Sequence, residues 1–262
     1  GIIVTGIGGT GVVTIGGVLG MAAHLEGKGV GIIDMAGLAQ KGGAVYSHMR
    51  IANKPEDIHA IRIAAGGADL VLGGDIVVAG NKKVLAAVKH GATRMIVNVA
   101  EFLPGDFTRN ADFSLPMERL KRAIMAAAGR DRVSFIDATR LATALLGNSI
   151  ATNMFLVGYA FQKGALPLSA DSIEKAIEMN GEAVAMNQAA LRWGRRAALD
   201  VAEVEKLIPS ADAEDDNRRL SQSLDEIVSR RVAFLTDYQN EAYARRYSDL
   251  VAKVRAAEEQ KA

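Results

Sequence analysis

Apolar residues in this chain fall into two kinds of run. Up to about residue 137 they come in short stretches of strand length. These are Ile2-Ile3-Val4, Val30-Gly31-Ile32-Ile33, Ala68-Asp69-Leu70-Val71-Leu72, Met95-Ile96-Val97-Asn98-Val99 and Val133-Ser134-Phe135-Ile136. Near-continuous apolar runs bounded by glycine or polar residues mark strands buried on both faces. Val45 to Ile51 differs: Val45, Ser47, Met49 and Ile51 alternate with Tyr46, His48 and Arg50, as in a strand with two unlike faces. Lys82–Lys89 and Met117–Ala128 read as helices, and Ile76-Val77-Val78 either extends a strand or starts a helix. Strands alternating with helices predict an α/β fold, a Rossmann-like three-layer arrangement with a mostly parallel sheet.

Beyond Asp137 the period becomes helical. Thr139–Leu146 and Thr152–Gln162 are predicted helices. A long one follows Pro167-Leu168-Ser169, capped by Ser169 or Asp171, with apolar positions at Ile173, Ala176, Ile177, Val184 and Leu191. We read 1–208 as one α/β domain, helical with one or more breaks from about 150 to 208, and polar 209–220 as a linker. Residues 221–262 form an amphipathic helix whose stripe includes Leu224, Ile227, Leu235, Leu250 and Val254. That helix would start a following region, and its stripe needs a partner.

Composition narrows the function. A formal net charge of +1 over 262 residues argues against a nucleic-acid partner. There are no cysteines, so disulfides, a catalytic thiol and Cys-ligated zinc or iron–sulfur clusters are excluded within this chain, and the cytoplasm is the expected compartment. Residues 1–23 are uncharged, but their eight glycines favour a soluble segment over a membrane span. The chain opens almost inside its first strand without a methionine, as a piece of a longer polypeptide would.

Two loops carry candidate chemistry. Gly6-Ile7-Gly8-Gly9-Thr10-Gly11 follows the first strand and opens an apolar helix. In that context Gly6, Gly8, Gly9, Thr10 and Gly11 either cradle a phosphate at a helix N-terminus or let strand and helix pack closely. Asp34 ends the second apolar run, where it holds ribose hydroxyls in a dinucleotide fold or else caps a strand end. The second loop, Gln40-Lys41-Gly42-Gly43, puts an ammonium beside permissive backbone. It leads into the strand on which His48 and Arg50 share a face, so loop and strand together read as a functional surface. His24, His59 and His90 have no ligand spacing. Asn153 and Asn187 sit among apolar helical residues, where bracing of a helix to a loop is the expected role.

The stretch from Gly1 to Ala52 resembles the gamma-type domain of 2-oxoacid:acceptor oxidoreductases, the pyruvate:ferredoxin oxidoreductase group, and within it the indolepyruvate ferredoxin oxidoreductases. The glycine turn is weakly specific. Gly37-Leu38-Ala39-Gln40-Lys41-Gly42-Gly43 with Ser47-His48-Met49-Arg50 is far more so, and Asn153, Asn187, Ala190 and Gly194 resemble the family's later helices. Many relatives have Arg where this chain has Lys41, and a lysine lacks the bidentate fork of arginine. The tail from Leu224 resembles the region that follows in long fused members.

The resemblance implies oxidative decarboxylation of a 2-oxoacid to an acyl-coenzyme A, with indolepyruvate or another aryl pyruvate as substrate. It also implies thiamine diphosphate, magnesium and 4Fe-4S clusters on partner domains or subunits, ferredoxin as acceptor, and a homo- or hetero-oligomer. This chain would have no catalytic residue or metal of its own and would not turn over alone; coenzyme A is the ligand it would contact. Two other readings stand beside this one: an NAD-dependent Rossmann dehydrogenase, and a purely structural assembly domain.

Overall fold

The computed structural model describes residues 1–36, 43–102, 114–208 and 220–260. The chain divides into two compact units, Gly1–Ile208 and Pro209–Ala262. In the first, β1 (Ile2–Ile7), β2 (Gly29–Ala36), β3 (Ala44–Ala52), β4 (Leu70–Gly73), β5 (Arg94–Asn98) and β6 (Val133–Ile136) form one six-stranded sheet in the order β2-β3-β1-β4-β5-β6. β1, β4, β5 and β6 pair in parallel, whereas β3 runs antiparallel to both neighbours, β1 and β2. The expected mostly parallel α/β sheet is present, with β3 as its one reversed strand. β2 is still parallel to β1, but β3 lies between them, where a doubly wound dinucleotide fold would put β2 at β1's side.

Helices cover both faces. On one lies α1 (Val12–Leu25), in a core with Ile2, Val4 and Met49. The other carries the short α2 (Ile76–Ala79) and α3 (Lys82–Leu85), then α4 (Met117–Ala128), packed around Ile3, Val71 and Val97. The apolar run at Ile76 thus starts a helix rather than extending a strand, because Asp75 caps it by accepting from the Val78 N–H at 2.8 Å. The helix expected over Lys82–Lys89 stops at Leu85. Next come α5 (Ala138–Leu146), α6 (Thr152–Gln162), α7 (Ala170–Asn180), α8 (Val184–Leu199) and α9 (Val201–Glu205). Ser169 caps α7, and Gly181 at φ 77° ends it, so the long helix read from the sequence is two.

α6 shows almost no amphipathic stripe because nearly all of it is buried, from Thr152 to Ala160. It crosses α8 backbone to backbone. A Cβ added at Gly158 would overlap the Leu191 carbonyl, and one at Gly194 would overlap the Phe155 carbonyl. Only glycine permits this approach on both sides. α7 is tied to the end of α1 by Glu26, which accepts from the Ser169 N–H at 2.7 Å and from the Ser172 hydroxyl, and pairs with Lys28 at 2.7 Å. Burial pushes the Glu26 carboxyl upward, but these donors outweigh it and hold the pKa at about 2.

The second unit holds α10 (Leu224–Tyr238) and α11 (Glu241–Glu259). The single helix expected over 221–262 is broken at Gln239-Asn240, because the Asn240 side chain accepts from the Tyr243 N–H at 2.9 Å and caps a new helix. Phe234 and Tyr238 stack at 6.4 Å, and Arg255 pairs with Asp225. The 209–219 part of the expected linker lies outside the described residues. Among the described residues, no helix is long and apolar enough to cross a membrane.

Gly158→Ala and Gly194→Ala should each destabilise the first unit by about 3 kcal/mol, since backbone carbonyls cannot move aside; thermal melting checks this, and an unchanged melting temperature would refute the close crossing. A second expectation concerns acid. A carboxyl depressed in the fold stabilises it above the ordinary carboxyl range and loses that effect as pH falls from about 4.5 toward 2. Glu26→Gln should therefore cost about 1–2 kcal/mol near neutrality, allowing for solvent screening, and nothing at pH 2. Chemical unfolding at the two pH values measures the difference.

Candidate functional site

β1 ends in the glycine turn because Thr10 folds back on the strand: its N–H and its hydroxyl both donate to the Ile7 carbonyl, at 3.1 and 2.7 Å. Gly11, at φ 83°, then starts α1 without a side-chain cap. A Cβ there would be both strained and in collision with the Asn153 amide nitrogen. That amide, in the first turn of α6, donates to the Thr10 carbonyl at 2.7 Å. Asn187 likewise donates to the Glu182 carbonyl at 2.8 Å. Both asparagines brace a helix against a loop, as the sequence pattern indicated.

The two glycine loops meet. Ile7 of β1 is in register with Ala44 of β3, and the Gly8 N–H donates to the Gly43 carbonyl at 2.7 Å. Gln40, Lys41 and Gly42 lie outside the described residues. Asp34 is exposed and in register with Ser47 of β3, which faces Val4 of β1. One whole strand therefore separates Asp34 from the turn, about 10 Å in sheet spacing. In a dinucleotide site the acid sits on the strand next to β1, and here that place is taken by β3.

Two cavities flank these loops. The first lies at the C-terminal edge of β1, β4 and β5 and offers about 120 Å³ of water-accessible space. Gly9 and Thr10 line it, with Thr5, Asp75 and Asn98 from the strand ends and Thr139, Thr152 and Asn153 from the helices. Asn98 is fully buried and fully engaged: it donates to the Gly74 carbonyl and the Thr139 hydroxyl at 3.0 and 2.9 Å, and accepts from the Ala138 N–H at 3.0 Å. Asp75 is 2% exposed; one carboxyl oxygen caps α2, and the other has no partner. Burial raises its pKa against the pull of the Val77 and Val78 N–H groups.

The second cavity, about 830 Å³, lies on the sheet face away from α1. It is lined by Ile3, Tyr46 and His48 of the sheet, Arg62 to Ala65, and Lys83 and Val84 of α3. His48 is 9% exposed, and its Nδ1 accepts from the Ile63 N–H at 3.0 Å, which leaves a neutral ring its proton on Nε2. Burial, helped by the nearby Arg62 charge, holds this imidazole below its ordinary range. Arg50 shares the β3 face of His48, half-buried, with its Nε unpartnered. Among the described residues no carboxylate lines this cavity, and neither Arg62 nor Lys83 is paired.

Thus the structure sorts the sequence-derived residues between two places. Gly9 and Thr10 border the small cavity, while His48 belongs to the large one, with Arg50 on the same strand face. Thr5, Asp75, Asn98, Arg62 and Lys83 were missed. The strand-ending Gly73-Gly74-Asp75 was a readable signal for one of them; Arg62 and Lys83 sit in segments with no motif. Among the described residues no group of three or more His, Cys, Asp or Glu is placed to hold a metal.

The described residues thus form an α/β domain whose glycine turn is held by one later helix and whose sheet carries a cationic cavity. The profile of the pyruvate ferredoxin/flavodoxin oxidoreductase family matches residues 1–197, and the chain belongs to that family. Residues 224–262 match a family of unknown function. The indolepyruvate oxidoreductase subunit IorB of Pyrococcus horikoshii is 28% identical over 202 residues, 76% of this chain and 96% of that one. IorB of Archaeoglobus fulgidus is 28% identical over 200 residues, 76% and 94% of the two chains. Among solved structures, the gamma subunit of keto/oxoacid ferredoxin oxidoreductase from Geobacter sulfurreducens superposes with a TM-score of 0.53 at 21% identity, over 76% of this chain and 97% of that one. The 2-oxoglutarate:ferredoxin oxidoreductase of Magnetococcus marinus gives 0.54 at 17% identity, covering 75% of this chain and 30% of that chain. The fold is therefore the gamma-type one, and the chain is a component of a 2-oxoacid oxidoreductase rather than a free-standing dehydrogenase.

Asn153→Ala should cost about 1 kcal/mol and loosen the turn, because the half-buried Thr10 carbonyl loses its donor. Hydrogen exchange at the Gly9 and Gly11 amides should accelerate; unchanged exchange would mean the turn holds itself.

Proposed function

We propose that this chain is the gamma-type component of an enzyme that oxidatively decarboxylates an aryl 2-oxoacid, with indolepyruvate the first candidate, to the acyl-coenzyme A. The observation that carries this reading is the family match over residues 1–197, joined to relatives named indolepyruvate oxidoreductase subunits that are covered almost end to end. Thiamine diphosphate with magnesium, held on partner domains or subunits, would supply the decarboxylation chemistry, and 4Fe-4S clusters there the electron path to ferredoxin. The chain itself has no cysteine to hold a cluster. The assembly is proposed to be an oligomer working in the cytoplasm, where thiol cofactors stay reduced.

On this reading the chain's own task is to support those partners and to hold coenzyme A. The phosphates of coenzyme A need cations whose charge is not already spent, and the cavity of Arg62 and Lys83 fits that need, with the neutral His48 ring beside them and Arg50 on the same strand as His48. Gln40, Lys41, Gly42 and Gly43, which lead into the same strand, are proposed as further contacts. The glycine turn, Gly6 to Gly11, is proposed to keep this loop in place through the Gly8–Gly43 hydrogen bond.

The test begins with a tagged copy purified from its host. The assembly should contain iron and thiamine and reduce ferredoxin with indolepyruvate only when coenzyme A is present; the chain alone should do neither. In that assembly Arg62→Ala with Lys83→Ala should raise KM for coenzyme A about tenfold, in line with the loss of charge-assisted contacts. KM for the 2-oxoacid should stay within about twofold. A shift in the 2-oxoacid KM alone would move the site of these cations to the substrate.

A further inference from the structure

The small cavity beneath the glycine turn has the wrong chemistry for a phosphate. Its titratable wall group is Asp75, and among the described residues no Lys, Arg or His lines it. One Asp75 oxygen is committed to the Val78 N–H; the other is buried without a partner. The Thr5 hydroxyl, fully buried on the end of β1, also lacks one. Both residues line the same space, and the rest of the wall there is largely apolar, with Ile7, Ile15 and Ile150. A buried carboxylate oxygen and a buried hydroxyl left without hydrogen bonds each carry the full cost of desolvation, which a complementary donor would remove. Neither oxygen is open to water as the wall stands, so a group with several N–H donors and a positive charge would reach them through a small opening of that wall, while its hydrocarbon meets the isoleucines.

We propose that this cavity binds a small primary amine, the ammonium taken by Asp75 and Thr5 and a short apolar stem lying against Ile7, Ile15 and Ile150. The site is separate from the cationic cavity, and its existence does not depend on the coenzyme A assignment. It also gives the glycine turn a role unlike that of a phosphate loop: Gly9 and Thr10 wall a pocket for a cation.

The probes are n-butylammonium, n-butanol and inorganic pyrophosphate, titrated into the full chain and followed by the methyl resonances of Ile7, Ile15 and Ile150. Butylammonium should shift these signals saturably, butanol at least about tenfold more weakly, and pyrophosphate not at all. Asp75→Asn keeps a good cap for α2 and should weaken the amine about tenfold while leaving butanol unchanged. Thr5→Val keeps the shape and the carboxylate, and should weaken the amine about threefold; it serves if the Asp75 variant does not fold. Equal binding of amine and alcohol, or no amine binding, overturns the proposal. So does pyrophosphate moving the same resonances, which would return the turn to anion binding.

Discussion

The contact on which the first unit depends is the crossing of α6 and α8 at Gly158 and Gly194. Each glycine meets a carbonyl of the opposite helix, so the two backbones approach as closely as helices can. Dispersion falls off steeply with separation, and a close crossing brings many more atom pairs into contact than one held apart by side chains. α6 is thereby buried from Thr152 to Ala160, with Phe155 its largest fully buried side chain. Because α6 cannot shift, its first turn is a fixed platform. Asn153 then holds the Thr10 carbonyl, and Thr152 donates to the Ser149 carbonyl at 2.6 Å. The glycine turn at the far end of the sequence is thus held by a helix residue 143 positions further along.

Reversal of β3 is the second constraint, and it decides what the turn can do. Placed between β1 and β2, β3 brings Gly43 against Gly8 and moves Asp34 out of reach. It also aims His48 and Arg50 to the face away from α1, since neighbouring residues of a strand point to opposite sides. The result is a division of charge between the strand ends and one face of the sheet. An acid with an unpartnered buried oxygen lies beneath the turn at the strand ends, and unpaired cations line a separate cavity on the face away from α1. A dinucleotide fold concentrates its acid and its phosphate loop at one edge; this fold separates acid from cations.

This division suits a family member that works beside partners. Under the proposed function its large cavity takes the anionic ligand. The second unit adds a pair of helices with Leu224, Phe234, Leu250 and Val254 well exposed.

Much of the fold was legible because it rests on local pattern. Met117–Ala128 and Thr152–Gln162 stand where the helical period placed them, and the apolar runs at Leu70, Met95 and Val133 are strands. The glycine turn, the motif around Gly43 to Arg50 and the bracing asparagines were readable too, since each needs particular residue types at fixed spacing. The position of the break at Gly181 and the break at Asn240 were harder, because a cap competes with a periodicity that runs straight through it. What the tertiary structure alone decided was neighbourhood. No local pattern states that β3 separates β1 from β2, because strand order is set by which long-range ladders bury the most surface. For the same reason Asp75 joined Thr5 and the turn, and Arg62 and Lys83 joined His48: each set is assembled from separate strands and loops, and only the closed sheet brings its members together.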